Sequence, residues 1–165
     1  MQASVTSDGL FRVGGIVARA ALGRAGVCEA RVKQEGDGAT PAALLPLRRV
    51  LFRADRLAAP KCAVPVEPIA PEDGWCDDPA HPDYNCMVRL PHAGSCEALW
   101  RDDPLYDLIG VLGWNDAPVR RGCGSAIFLH VAGPDYAPTA GCVALALAEL
   151  RRVLAAGLTA IAVQA

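Results

Sequence analysis

His130 and Cys142 are the two residues whose types and placement best suit a chemical reaction. His130 follows the apolar run 126–129, which is typical of a buried strand. A loop rich in glycine and proline then leads to Gly141 and Cys142. An imidazole near a thiol can take its proton, so that the sulfur attacks a carbonyl carbon while backbone N–H groups hold the oxyanion. The stretch predicts a cysteine acyl-transfer site with Cys142 as nucleophile, His130 as base, and the N–H groups of Gly141 and Cys142 as oxyanion donors.

The segment after Cys142 has the pattern of a short helix. Apolar residues recur there at helical spacing, namely Leu147, Leu150, Val153 and Leu154. Gly157 would end the helix. With Cys142 just ahead of a helix N-terminus, we expect the backbone dipole to lower the thiol pKa and favour the reactive thiolate.

This stretch resembles the catalytic domain of the L,D-transpeptidase (YkuD-like) family. That family carries a His, a loop and then a Ser-x-Gly-Cys-x-Arg cluster. Gly141 and Cys142 match the cluster, and Thr139 replaces its Ser. Two positions depart from the pattern, because Ala144 stands in place of the Arg and Val131 in place of the Gly that often follows the His. The resemblance therefore implies that another residue anchors the substrate and that a backbone carbonyl at Val131 orients the imidazole.

A second segment, residues 33–47, resembles the same family. It follows the family pattern Lys-x-x-x-Thr-Pro-x-Gly-x-Phe-Pro, with Ala43 in place of the Gly and Leu45 in place of the Phe. The resemblance implies a β-sandwich of mixed sheets with one short helix after the catalytic Cys, and a single catalytic domain over residues 1–165. The many short strands predicted from the sequence also indicate a mainly β fold.

The rest of the chain predicts short strands and long loops. We expect a hairpin of residues 11–22 and 27–32 closed by a turn at residues 23–26, where two glycines occur. Further strands are predicted at residues 48–53, 86–90, 107–113 and 159–163. Residues 60–71 contain four prolines and are predicted to be extended or looped. Residues 72–106 are predicted to be mostly irregular, since Asp-Gly, Asp-Pro and His-Pro pairs interrupt them.

Composition indicates a folded protein and argues against some classes of partner. The 165 residues are 52% hydrophobic and 21% charged, with a net charge of −2. No basic stripe points to nucleic acid, and no apolar run is long enough to span a membrane. The seven cysteines form no Cys-x-x-Cys pair and favour reduced thiols. Since the first residues lack the pattern of a secretory signal, we expect a cytoplasmic location, or a periplasmic one if an upstream signal has been removed.

Several residues are candidates for binding a substrate. Arg89 and Arg101 are the nearest replacements for the missing Arg, because a guanidinium binds a carboxylate through two hydrogen bonds. Tyr84 and Trp100 could line a cleft, and Thr139 lies beside the nucleophile. The alternative for the arginines is a solvated surface position, and for the aromatic residues it is packing in the core.

A group of cysteines and histidines in the middle of the chain is a competing site. Its members are Cys76, His81, Cys86, His92 and Cys96. Zinc prefers these donors, but structural zinc sites pair their ligands at shorter spacings. From spacing alone we expect no metal here, and a loop over the active site instead.

The resemblance implies a substrate and a reaction. The substrate would be a peptidoglycan stem tetrapeptide or muropeptide, with the L,D bond before the terminal D-Ala cleaved through a Cys142 thioester and no metal or organic cofactor required. Transfer to an amine would make the chain an L,D-transpeptidase, and transfer to water an L,D-carboxypeptidase of muropeptide recycling, which the expected location favours. The alternatives are a catalytically idle domain that binds peptidoglycan peptides and a zinc-stabilised interaction module.

Overall fold

The computed structural model describes residues 1–165 and contains many short strands and one α-helix. The strands are β1 (Gln2–Thr6), β2 (Leu10–Val13), β3 (Ile16–Ala21), β4 (Val27–Glu29), β5 (Thr40–Ala42), β6 (Leu44–Phe52), β7 (Val66–Pro68), β8 (Asp73–Cys76), β9 (Met87–Arg89), β10 (Cys96–Ala98), β11 (Leu108–Leu112), β12 (Phe128–Val131), β13 (Val143–Leu145) and β14 (Ala160–Gln164). The α-helix is α1 (Leu147–Ala155), and 3₁₀ turns lie at Ala30–Val32 and Pro104–Tyr106. The mainly β fold with a short helix after Cys142 is confirmed.

Nine strands form one mixed sheet that closes on itself. Their order is β11, β12, β13, β3, β2, β1, β14, β6 and β7, and β11 also pairs with β6. Apolar side chains from alternate strand positions fill the enclosed space, as they must where one sheet face is buried. Helix α1 adds Leu150, Val153 and Leu154 to this core. The helix therefore packs on the sheet through the apolar stripe that its sequence predicts.

The predicted hairpin between residues 11–22 and 27–32 is wrong, because different strands pair. Strands β2 and β3 form the hairpin, and Gly14 and Gly15 close it between Val13 and Ile16. A two-residue Gly-Gly loop suits such a turn, since the first glycine has a positive φ of 53°. The turn at residues 23–26 does form, with the Gly26 N–H donating to the Gly23 carbonyl at 2.8 Å, but it leads into β4, which pairs with β5.

Residues 72–106 are more regular than we expected. They contain β8, β9 and β10, which form a three-stranded antiparallel sheet with β8 at its centre. Each strand is only three or four residues long, so the strands show too few alternations to be recognised among turn residues. This small sheet packs on the main sheet through Trp75, whose ring meets that of Phe128 edge-on at 5.1 Å between centroids.

The chain contains one α-helix and two 3₁₀ turns. None of them combines the length and the apolar character that such a crossing needs.

Candidate active site

The main sheet places His130 and Cys142 side by side. His130 lies within β12, and Cys142 immediately precedes β13, which runs parallel to β12 with His130 opposite Ala144. The loop between the two strands returns through Thr139 and Gly141. Since Val143 is opposite Leu129, Cys142 lies beside Phe128, two positions before His130, and the thiol and the imidazole project from the same face of the sheet. Both side chains line one cavity of about 650 Å³.

Gly141 fits its position only as a glycine. Its φ is +138°, and a Cβ placed on it would lie 2.9 Å from the Ala39 carbonyl oxygen. Its N–H donates to Thr139 Oγ1 at 3.1 Å, and that hydroxyl donates in turn to the Cys142 carbonyl at 2.8 Å. The loop thus holds Cys142 through its backbone. The Gly141 N–H must leave Thr139 before it can bind an oxyanion.

We expect Gly141→Ala to lower the free energy of unfolding by about 1–3 kcal/mol, because it forces a side chain into a strained backbone region and against a carbonyl. Gly15→Ala is the matched control, since its Cβ would meet nothing within 4 Å. Urea unfolding of both variants measures the difference. Equal stabilities would contradict this account of the loop.

The Cys142 thiol is buried and neutral. Burial raises its pKa to about 12, and the negative charge of Glu97 adds to the effect. Sγ accepts the Phe128 N–H at 3.4 Å and donates to the Ala126 carbonyl at 3.3 Å. The expected low thiol pKa is therefore wrong. Helix α1 begins only at Leu147, after β13, so its dipole does not act directly on the sulfur.

His130 is held as a neutral base. Its Nδ1 lies 2.9 Å from the Val131 carbonyl oxygen, and since a carbonyl only accepts, Nδ1 carries the proton and the lone pair is on Nε2. Burial lowers the imidazole pKa below its ordinary value of 6.5, and the charge of Arg101 lowers it further. The ring of Tyr106 packs edge-on at 5.3 Å between centroids. The orienting Val131 carbonyl that the sequence implies is present.

The thiol and the imidazole are not hydrogen-bonded to each other in this structure, because each uses a backbone partner instead. Apo active sites are often loose in this way and tighten when substrate is bound. Sγ must therefore leave the Ala126 carbonyl before it can donate its proton to the imidazole.

Charged side chains of both signs line the cavity. They are Arg24, Lys33, Glu35, Asp77, Glu97, Arg101 and Asp135. Sequence reasoning missed most of them, because they come from five separate parts of the chain that only the fold brings together. Lys33 is buried and already paired, as its Nζ lies 2.5 Å from Asp37 Oδ1. Lys33 matches the Lys of the family pattern at residues 33–47, and Arg101 was a candidate anchor, so these two residues had a signal in the sequence.

Glu97 and Tyr106 connect the small sheet to the imidazole. The Tyr106 hydroxyl donates to the Glu97 carboxylate, and the Tyr106 ring lies against His130. Burial raises the pKa of Glu97, and the hydrogen bond from Tyr106 only partly offsets this. The wall of the cavity opposite the loop is therefore built by β10 and the 3₁₀ turn Pro104–Tyr106.

The predicted substrate-binding residues divide into two groups. Arg101 and Thr139 line the cavity, whereas Arg89, Tyr84 and Trp100 do not. Arg89 is exposed and pairs with Glu72 at 2.6 Å and with Asp73 at 2.9 Å. Of the two arginines proposed as replacements for the family Arg, the structure therefore brings only Arg101 to the site.

Trp100 and Tyr84 support the site from outside the cavity. The Trp100 ring stacks on the Arg53 guanidinium at 3.5 Å. Tyr84 is buried, and its hydroxyl donates to Glu35 Oε2 at 2.5 Å while accepting the Gly124 N–H at 3.0 Å. Tyr84 therefore holds Glu35 in position. Glu35 lines the cavity, and Tyr84 does not.

Arg101 is paired rather than free. Its Nε lies 3.0 Å from Asp103 Oδ1 and its Nη2 lies 2.5 Å from Asp103 Oδ2. A bidentate pair of this kind leaves other N–H groups of the guanidinium available for a substrate carboxylate.

The cysteines and histidines of residues 76–96 do not join this cavity. Cys76, His92 and Cys96 instead lie together elsewhere, with their ligand atoms within 4.8 Å of one another. Spacing in the sequence did not predict that grouping.

Comparison with known families agrees with this geometry. The L,D-transpeptidase catalytic domain family, YkuD, matches residues 5–160, nearly the whole chain. The matched range includes His130, Cys142 and the second resembling segment at residues 33–47. No curated protein and no solved structure gives a significant match to the sequence. The extent of the match shows that the chain belongs to the L,D-transpeptidase catalytic domain family.

Proposed function

We propose that the protein is a cysteine acyl-transfer enzyme that cleaves the L,D bond before the terminal D-Ala of peptidoglycan stem tetrapeptides. The observation that carries this proposal is the placement of Cys142 and His130 at one cavity of about 650 Å³ in a chain of this family. That volume is within the range of small-molecule and peptide sites. Family membership supports a peptidoglycan peptide as the substrate. The thiol and imidazole at one cavity support acyl transfer as the reaction.

The charges of the cavity fit a stem peptide. Such a peptide carries carboxylates and, in its diamino acid, an ammonium group, and the cavity offers Arg101 as well as Asp77 and Glu97. Oδ1 of Asp77 is buried without a hydrogen-bond partner. Buried polar atoms are nearly always paired, so a substrate N–H or ammonium group at this wall would supply the missing partner.

In the first half of the proposed reaction, His130 Nε2 takes the thiol proton as Sγ attacks the carbonyl carbon of the third residue. The Cys142 N–H, with that of Gly141 once it leaves Thr139, stabilises the oxyanion. The C–N bond then breaks, and the imidazolium returns the proton to the leaving amine of D-Ala. The product is a thioester on Cys142, and the Val131 carbonyl keeps the imidazole oriented throughout.

In the second half, an acceptor resolves the thioester. His130 takes a proton from water or from an amine as that group attacks, and the thiol leaves with the proton. Water gives a tripeptide, and an amine of another stem gives an L,D-crosslink. We propose water as the main acceptor, because Cys142 is buried and a water molecule reaches a buried thioester more easily than the amine of a second stem peptide.

Incubation of the protein with a disaccharide tetrapeptide, with and without an amine acceptor, tests the proposal by mass spectrometry. We expect loss of one alanine from the tetrapeptide in both incubations. Binding without release under either condition would instead support the idle binding domain. Ala144 in place of the family Arg and the backbone-bonded thiol are the observations that keep this second candidate in view.

We expect Arg101→Ala to lower kcat/KM by roughly tenfold, mostly through KM, since it removes the guanidinium that can bind a substrate carboxylate. Arg89→Ala should leave both constants unchanged, because Arg89 lies outside the cavity. Arg152→Ala, on the exposed face of α1, controls for the loss of a surface charge. A larger effect from Arg89→Ala than from Arg101→Ala would show that Arg101 is not the residue that binds the substrate carboxylate.

A further inference from the structure

We propose that Cys76, His92 and Cys96 form a zinc site on the face of the small sheet that points away from the catalytic cavity. Cys76 and Cys96 are directly opposite each other in the β8–β10 pairing. The next pair along, Trp75 and Glu97, points to the other face, where Glu97 lines the cavity. The site is therefore separate from the catalytic centre and is independent of the reaction proposed for it.

The three ligand atoms are already close to the arrangement that zinc needs. All three lie within 4.8 Å of one another, and His92 Nδ1 is 3.3 Å from Cys96 Sγ. Ligand atoms around a tetrahedral zinc with thiolate and imidazole donors lie about 3.5–4 Å apart. Cys76 is fully buried and the His92 ring is largely so, whereas Cys96 is only partly buried and leaves a side from which a water ligand can enter. Small side-chain adjustments are enough to close the group around a metal ion.

The hydrogen bonds of His92 favour metal binding through Nδ1. Its Nε2 lies 3.0 Å from Asp83 Oδ2, and its Nδ1 accepts the Gly94 N–H at 3.1 Å. Nε2 therefore carries the ring proton, and the Nδ1 lone pair, 3.3 Å from Cys96 Sγ, becomes a metal ligand once it releases the Gly94 N–H. Metal-binding histidines usually donate their other N–H to a carboxylate in this way, and the carboxylate fixes the ring and strengthens the ligand.

The donor set points to zinc. Two cysteine sulfurs and one imidazole suit Zn²⁺ and exclude the hard cations Mg²⁺ and Ca²⁺, which prefer oxygen. On binding, Zn²⁺ displaces the two thiol protons, and water completes the fourth position. His81 is the neighbouring ring, at 4.4 Å between centroids from His92, but it does not belong to the group formed by Cys76, His92 and Cys96. A bound zinc ion would fasten the loop between β9 and β10 to the end of β8.

The test uses Cys142→Ala protein, so that the catalytic thiol cannot hold the metal. We expect about one zinc per chain after purification from zinc-supplemented cells, and a lower Tm after chelation. Co²⁺ replacing Zn²⁺ should give a thiolate charge-transfer band. Cys96→Ser and His92→Gln should each remove the band, and Asp83→Asn should weaken Zn²⁺ binding by roughly tenfold.

Cys86→Ser is the matched control, because Cys86 is exposed, lies in the same segment and is not one of the three ligands. It should leave the zinc content and the cobalt band unchanged. Zinc-free protein with no cobalt band would overturn the proposal. So would a Cys76–Cys96 disulfide, which thiol counting under denaturing conditions detects.

Discussion

Cys142→Ala is expected to abolish D-Ala release while leaving tetrapeptide affinity within a few-fold of the unmodified protein. In the proposed reaction the sulfur forms the covalent bond of the thioester, so no other group can replace it in the chemical step. In the ground state the thiol contributes little to binding, since Sγ is buried and engaged with the Phe128 N–H and the Ala126 carbonyl. Product masses measure the first effect, and calorimetric titration with tetrapeptide measures the second.

Cys62→Ala is the matched control for this variant. Cys62 is partly buried and does not line the cavity. Its Sγ donates to the Val64 carbonyl at 3.2 Å. It should release D-Ala at the original rate. Release by Cys142→Ala protein at a comparable rate would show that another group performs the reaction. A large loss of affinity would show that the thiol holds the substrate rather than attacks it.

The meeting of His130 and Cys142 at one cavity could be predicted from the sequence because its signal is local. His130, Gly141 and Cys142 lie on one short loop and its two flanking strands, so their spacing carries the information. The structure adds why Gly141 has to be glycine, since the reason lies in the Ala39 carbonyl, far away in the chain. It also shows that the pKa of the Cys142 thiol is raised, whereas the sequence predicted a lowered pKa. The cause is burial and the charge of Glu97, which depend on packing and not on the neighbouring helix.

The opposite wall of the cavity could not be predicted in the same way. Glu97 and Tyr106 belong to a region that seemed irregular, and their contact with each other and with His130 depends on how the small sheet packs on β12. The same limit applies to Cys76 and Cys96. Their separation in the sequence argued against a metal site, but antiparallel pairing of β8 with β10 places them opposite each other. Linear spacing is a poor guide where short strands fold back on themselves.

The pH dependence of the reaction follows from the two buried groups at the site. Because burial lowers the His130 pKa, the imidazole stays neutral at pH values below its ordinary 6.5. On the acid side, the pH profile of kcat/KM reports the pKa of the base in the free enzyme. As the pH is lowered, kcat/KM should therefore decrease with an inflection below pH 6.5. Because the Cys142 pKa is raised to about 12, little thiolate exists at neutral pH without a base. In the proposed reaction, attack by the sulfur therefore depends on proton transfer to His130.

His130→Ala is accordingly expected to lower kcat/KM by about 10²–10⁴-fold, the usual contribution of a positioned general base. The acid limb should disappear, and the remaining activity should rise with pH, because only hydroxide or spontaneous ionisation can then remove the thiol proton. Combining it with Cys142→Ala should add no further loss, since base and nucleophile act as a unit. Tyr106→Phe is the matched control, because it keeps the ring that packs on His130 and removes only the hydroxyl that binds Glu97. An unchanged acid limb in His130→Ala protein would assign the titrating base to another residue of the cavity.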